Sequence, residues 1–249
     1  MLSVSDRQER VAGYKQAVME TTTATMLGAG GIAGEIGEGL TRKGVGTLTM
    51  LDPDTVDPTN LNRQLFFAAD LGQNKALCLA KNLSAMGFFD TQLMGLGISF
   101  EAAVDQGVDL ACDVAIVGID SATGRIAASV YFRERGIPVV FTAVDEAANY
   151  GYVFVQEPGG ACFVCLFPDS VSDTTDPCPG VPAVKDILKV VGGLALYAVD
   201  SVLMDRPRPW HYKTVYLDGS IPGQDWAVAK RGDCRLCGAG ETTGAAKQQ

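Results

Sequence analysis

The sequence predicts an α/β fold with a mostly parallel, doubly wound sheet, extended by antiparallel strands toward its C-terminus. Three observations predict it. Short apolar runs alternate with helix-length segments from Thr23 to Thr142, and such alternation calls for parallel strands joined by right-handed crossovers. A glycine turn, Gly28-Ala29-Gly30-Gly31, separates the first apolar run from the first long helical segment, as in a Rossmann-like nucleotide fold. Two Cys-x-x-Cys pairs, Cys162/Cys165 and Cys234/Cys237, lie far apart in the C-terminal part. Each pair supplies two thiolates, and four complete the tetrahedron of a structural zinc site.

The elements follow in chain order. Residues 6–20 read as an N-terminal helix and Thr23–Leu27 as a short strand running into the glycine turn. A helix over 32–43 and a second strand, Gly46–Leu51, complete the first unit. A polar loop from Asp52 to Gln64 precedes a helix over Gly72–Met86. Val114–Val117 and Pro138–Thr142 are buried strands flanking a helix over Ala122–Arg135. Past Tyr150 the pattern changes: Tyr150–Gln156 reads as an antiparallel strand, followed by the first cysteine pair. Phe167–Pro182, rich in Pro, Asp, Ser and Thr, reads as a mobile crossover loop. The longest apolar run, Ile187–Met204, is interrupted by Lys189, two glycines and Asp200, so it reads as a packed helix rather than a membrane span. Tyr212–Leu217 is a last core strand, and the second cysteine pair closes the fold. The expected organisation is one domain over 1–249. Residues 1–150 form its nucleotide-binding part, 151–237 a zinc-bearing C-terminal part, and 238–249 a low-complexity disordered tail.

Bulk properties narrow the function. The chain has 249 residues, a net charge of −9 and 20 Lys plus Arg against 29 Asp plus Glu. This balance argues against a broad nucleic-acid surface, which needs clustered cations, but not against one nucleotide held by a few. The charged N-terminus has no apolar leader core, so a cytoplasmic protein without a membrane anchor is expected. Cysteines there are metal ligands, catalytic groups or buried thiols rather than disulfides.

A strand, a glycine turn and a helix start aim backbone N–H groups at an anion. Asp52, ending the second strand, is placed to accept from ribose hydroxyls. To this point an NAD-dependent dehydrogenase fits equally well. The next segment, with Asn60, Arg63, Gln64 and Lys75, opposes it. A dinucleotide has little use for two cations here, whereas a triphosphate does: Arg63 can fork onto phosphate oxygens and Lys75 adds a point charge. Asp120, after the strand beginning at Val114, lies at the carboxyl edge of the sheet, where a magnesium ligand is expected; capping the next helix is its other reading. His211, the only histidine, lies far from these motifs and reads as structural.

In these segments the chain resembles the E1-like activating enzymes, which include the adenylyltransferases of sulfur-carrier proteins in thiamine and molybdopterin synthesis. The matching residues are Gly28-Ala-Gly-Gly31, Leu51-Asp-Pro-Asp-Thr-Val56, Asn60-Leu-Asn-Arg-Gln64, Gly72-Gln-Asn-Lys75, Gly118-Ile-Asp120 and both cysteine pairs. The resemblance implies that the glycine turn and Asp52 hold ATP, with Asn60 and Gln64 beside them. It further implies that Arg63 and Lys75 take the phosphates, Asp120 takes Mg2+, and Cys162, Cys165, Cys234 and Cys237 take Zn2+. Arg7-Gln8 matches a motif whose arginine enters the partner subunit's ATP site, which implies a homodimer. The family often has glycine where Ala33 stands, and the segment between Gln8 and the first strand is short. The implied activity is ATP-dependent adenylation of the C-terminal carboxylate of a small ubiquitin-fold sulfur-carrier protein ending in Gly-Gly, with sulfur supplied by a separate donor. Adenylation of a peptide, or a non-catalytic partner-subunit role, are the alternatives.

Three cysteines remain. Cys78 and Cys112 read as buried inert thiols. Cys178, in the proline-rich loop ahead of a helix N-terminus, has two open readings: a nucleophile forming a thioester or acyl-disulfide, or an incidental loop thiol.

Overall fold

The computed structural model describes residues 3–171 and 183–238. Two short helices, α1 (Asp6–Glu9) and α2 (Gln16–Thr21), precede strand β1 (Thr23–Leu27) and helix α3 (Gly31–Lys43). Then come β2 (Thr47–Leu51), α4 (Lys75–Ser84), β3 (Gln92–Leu96), α5 (Phe100–Asp105), β4 (Val114–Val117), α6 (Ala122–Glu134) and β5 (Val139–Val144). β6 (Tyr150–Gln156), α7 (Phe163–Leu166), α8 (Lys185–Met204), β7 (Tyr212–Tyr216) and β8 (Asp225–Trp226) complete the described chain.

All eight strands form one sheet in the order β3-β2-β1-β4-β5-β6-β7-β8. The first five are mutually parallel, and β6, β7 and β8 add on antiparallel. This is the predicted architecture. Strand residues feed the two faces alternately. Val114 and Ile116 of β4 join the core under α3, α4 and α8, while Ala115 and Val117 join the core under α5 and α6. A strand covered on both sides reads as a continuous apolar run, as VAIV does.

Helix α8 is the longest and most apolar element, long and apolar enough on composition to cross a bilayer. Its apolar faces instead pack on α3 and on β5 and β6, with Ile187, Val191, Ala195 and Val199 fully covered. Glycines let the two helices approach: a Cβ at Gly39 would collide with Leu196, and one at Gly192 would lie 2.6 Å from Glu35.

Three expectations change. The N-terminal helix is broken in two around Gly13, which takes φ +76°, a backbone region glycine enters without strain. The helix expected from Gly72 begins at Lys75, because Asn74 caps it by accepting from the Leu77 N–H at 3.1 Å. β3 and α5 escaped the sequence reading: β3 is a half-exposed edge strand with no clear alternation of apolar residues. Of the expected crossover loop, Pro168–Val171 forms a 3-10 turn. Residues 172–182, Cys178 among them, and 239–249 lie outside the described residues.

Candidate functional site

Strand order reverses between β1 and β4, and the carboxyl ends of β1, β2 and β4 surround a cleft of about 1060 Å3. Open α/β sheets bind ligands at this switch point. Gly28, Gly30, Gly31, Asp52, Asn60, Arg63, Gln64, Lys75 and Asp120 all line it.

The glycines do different work. Gly28 has φ +96°, and a Cβ there would press within 3.2 Å of the Gly118 carbonyl. Its N–H bonds the Leu51 carbonyl at 2.8 Å, and the Gly118 N–H bonds Leu27 at 2.9 Å, so three strand ends are laced together. Gly31 is a packing glycine, since a Cβ would collide with Leu188 of α8. Gly30 has ordinary extended backbone, and a Cβ there would meet nothing within 4 Å. The fold does not require glycine at that position, which leaves the helix start open to close approach from the cleft.

Asp52 is buried, and both its oxygens are engaged: Oδ2 accepts from the Ala29 N–H at 2.7 Å and Oδ1 from the Asp54 N–H at 2.9 Å. Burial pushes its carboxyl above the usual carboxylate range, and the two N–H groups and Lys75 offset part of that rise. Asn74 extends the join through its Nδ2, which donates to the carbonyls of Asp52 at 2.8 Å and Asp54 at 3.1 Å. Lys75, the first residue of α4, is then held with its Nζ 2.8 Å from the Asp54 carboxylate.

Arg63 sits on a compact loop shaped by Asn60. The Asn60 side chain accepts from the Asp57 N–H at 2.9 Å, and its carbonyl accepts from the N–H groups of Arg63 and Gln64. The Arg63 guanidinium bonds the Thr59 carbonyl at 2.6 Å and the Asn62 side chain at 3.0 Å. Beside it the Gln64 Oε1 is buried with no hydrogen-bond partner among the described residues. An orphaned acceptor facing a cleft is a group in need of a donor, such as a ligand hydroxyl or amine. Asp120 is exposed at the cleft rim, and the next residue, Ser121, caps α6 instead by accepting from the Gly124 N–H at 3.1 Å. That leaves the Asp120 carboxylate available to a cation.

Sequence reasoning missed one wall of the cleft, Ser99, Phe100 and Glu101 at the start of α5, and also Leu188. The signal for the first was Ser99 ahead of Phe100-Glu101, a helix start that went unread because β3 did. Arg7 is not in the cleft. Its neighbour Gln8 bonds the Lys43 carbonyl at the far end of α3, about 20 Å along a 13-residue helix from the glycine turn. His211 is equally remote and accepts from the Val228 N–H at 3.0 Å.

The four paired cysteines converge. Their sulfurs lie within 4.8 Å of one another, with Cys162–Cys234 at 3.5 Å, Cys165–Cys237 at 3.3 Å and Cys162–Cys165 at 3.9 Å. Four thiolates around one ion at about 2.3 Å stand about 3.8 Å apart, so the set fits a tetrahedral metal such as zinc. Burial opposes ionisation of Cys234, yet the N–H groups of Leu236 and Cys237 and the adjacent thiols bring its pKa down to about 6. The Arg231 N–H donates to Cys165 Sγ at 3.4 Å, a contact suited to a thiolate.

The ThiF family profile matches residues 6–232. The chain belongs to the ThiF family. It falls within the E1-like activating superfamily. The SAMP-activating enzyme E1 of Haloferax volcanii is 26% identical over 240 residues, covering 93% of this chain and 86% of the relative. Ubiquitin-like modifier-activating enzyme 5 of Oryza sativa is 27% identical over 188 residues, covering 70% of this chain and 43% of the relative. The chain thus spans less than half the length of that second relative. Among solved structures, E. coli MccB with MccA-N7isoASN superposes with a TM-score of 0.75 at 18% identity, covering 90% of this chain and 69% of MccB. This last likeness concerns the fold.

Replacing Asp52 by Ala leaves the buried Ala29 N–H and the part-buried Asp54 N–H without an acceptor. The variant is expected to lose about 2–3 kcal/mol of unfolding free energy in urea titration, an unmet donor costing about 1–3 kcal/mol. A loss under about 0.5 kcal/mol would contradict the role given to this carboxylate.

Proposed function

We propose that the chain adenylates the C-terminal carboxylate of a small ubiquitin-like protein, using ATP and releasing pyrophosphate. One observation carries this reading: two cations, an orphaned amide oxygen, a bare glycine and a rim carboxylate gather in one cleft at the sheet's switch point. The relatives named as activating enzymes for SAMP and for a ubiquitin-like modifier point to the class of acceptor. A sulfur carrier ending in Gly-Gly is the specific acceptor we propose, with a separate sulfur donor.

The chemistry asks little proton transfer of the protein. A carboxylate oxygen of the acceptor forms a bond to the α-phosphorus, the bond from that phosphorus to the bridging oxygen breaks, and the electron pair leaves with pyrophosphate. The nucleophile is already ionised at neutral pH, so no general base is needed, in keeping with a single histidine remote from the cleft. The protein supplies orientation and positive charge opposite the charge that develops. In this proposal the N–H groups of the glycine turn and Arg63 receive phosphate oxygens. Lys75 exchanges its exposed partner Asp54 for phosphate, and Gln64 accepts from the nucleotide. Asp120 would hold magnesium, which would neutralise phosphate charge when bound. Arg7, at the far end of α3 from its own cleft, is proposed to serve the cleft of a second copy in a homodimer.

ATP–pyrophosphate exchange measured with a panel of small Gly-Gly-ending proteins tests the reading. Arg63→Ala and Lys75→Ala are expected to lower exchange by about 100-fold or more, the usual worth of a charged group acting on a transition state. Unchanged exchange in either variant would contradict it. Mixing Arg7→Ala with Lys75→Ala subunits is expected to restore part of the activity, whereas no recovery would count against a shared cleft.

We also propose that the four-cysteine centre holds zinc. Metal analysis is expected to find about one zinc per chain, with Cys165→Ser or Cys237→Ser losing it together with several degrees of melting temperature, since binding free energy of a structural ion is folding free energy. A metal-free wild-type chain of unchanged stability would rule it out.

A further inference from the structure

Two opposite charges near the cleft meet, one of them at a helix position its charge does not favour. Glu35 places a carboxylate on α3, the helix whose N-terminus forms the glycine turn, about 6 Å along the axis from Gly31. Its side chain is only 12% exposed, so water screens its charge poorly. An acid in that place repels any anion the glycine turn receives. Lys185 places a cation at the first position of α8, where the helix dipole disfavours it, behind Val184, which offers no side-chain cap. Lys185 pairs with Glu35, and its Nζ also donates to the Arg63 carbonyl at 3.2 Å. No other described group hydrogen-bonds or ion-pairs with the Glu35 carboxylate. Gly192 admits the contact, since a Cβ there would lie 2.6 Å from the Glu35 stem. One ammonium therefore joins the glycine-turn helix, the Arg63 loop and the first turn of α8.

We infer that Lys185 is a positioning residue of the nucleotide cleft: it neutralises Glu35 and holds the Arg63 loop in place, so that a polyphosphate meets Arg63 and the glycine turn without a facing negative charge. The inference deepens the nucleotide reading of the cleft and rests on it. It does not require Lys185 to touch the ligand. Where a cation stands at a helix start against local preference and pairs with a nearly buried acid, a functional demand is the expected reason.

The test is calorimetric titration of the intact chain with Mg-ATP, alongside melting temperatures. Lys185→Met is expected to weaken binding by about tenfold, the scale of one uncompensated, largely buried charge. Lys185→Arg, which keeps the charge, stays within about twofold of wild type. The double variant Lys185→Met, Glu35→Gln recovers the share of affinity lost to the bare Glu35 charge and binds more tightly than Lys185→Met alone, leaving only the share lost with the hydrogen bond to the Arg63 carbonyl. Glu35→Gln alone binds at least as tightly as wild type, a check that holds even if Lys185→Met folds poorly. Wild-type affinity in a folded Lys185→Met, a double variant as weak as the single one, or weakened binding by Glu35→Gln alone would each overturn the inference. The titration needs no acceptor protein. A wild type that binds Mg-ATP yet fails to exchange pyrophosphate counts against acyl transfer while leaving Lys185 standing, and a wild type that does not bind ATP overturns both.

Discussion

The cleft depends on one buried carboxylate. Asp52 receives an N–H from Ala29 in the glycine turn and another from Asp54 beyond β2, so the turn after β1 cannot move independently of the loop after β2. Asn74 carries the constraint on to α4 through the carbonyls of Asp52 and Asp54. Lys75 is placed by that chain of bonds. Without the join, the phosphate-facing turn and one of the two cations would be carried on independent loops. Burying an acid is unfavourable, and its raised carboxyl reflects that. The protein accepts the burial where it fixes geometry.

A chain carrying nine net negative charges poses an electrostatic question if it is to hold a polyanion. The answer is local pairing rather than a basic surface. Lys75 neutralises Asp54, Lys185 neutralises Glu35, and Asp52 is satisfied by N–H groups. What then lines the opening includes Arg63, the glycine turn and two acids, Glu101 and Asp120, the last suited to a cation. Long-range repulsion is screened beyond about 8 Å in physiological salt, so these near contacts decide affinity.

The sequence announced much of this, and the reasons it fell silent elsewhere are physical. β1, β4 and β6 were legible to the residue: β4, covered on both faces, carries an uninterrupted apolar signal, β1 runs into the glycine turn, and β6 begins where the pattern changes at Tyr150. The site was legible because glycines, an acid at a strand end and paired cations occur in chain order along successive loops. β3 was invisible since its residues are half exposed at the sheet edge, and with it went the Ser99–Glu101 wall of the cleft. The break at Gly13 depends on a left-handed backbone that an apolar pattern does not encode. Lys185 and Glu35 are 150 residues apart in numbering and carry no motif that links them; only the approach of α8 to α3 at Gly192 brings them together. The distinct duties of Gly28, Gly30 and Gly31 likewise depend on what lies beside each one in space.

The claim at the centre is that an acceptor carboxylate attacks the α-phosphorus in this cleft. It can be followed by isotope. An acceptor protein carrying 18O in its C-terminal carboxylate is incubated with the chain, Mg-ATP and hydroxylamine, and the nucleotide products are weighed by mass spectrometry. The account predicts AMP containing one 18O and no ADP, since the oxygen that attacks phosphorus stays with it when hydroxylamine takes the acyl group. Label in inorganic phosphate with ADP as the product, or AMP free of label, would contradict it.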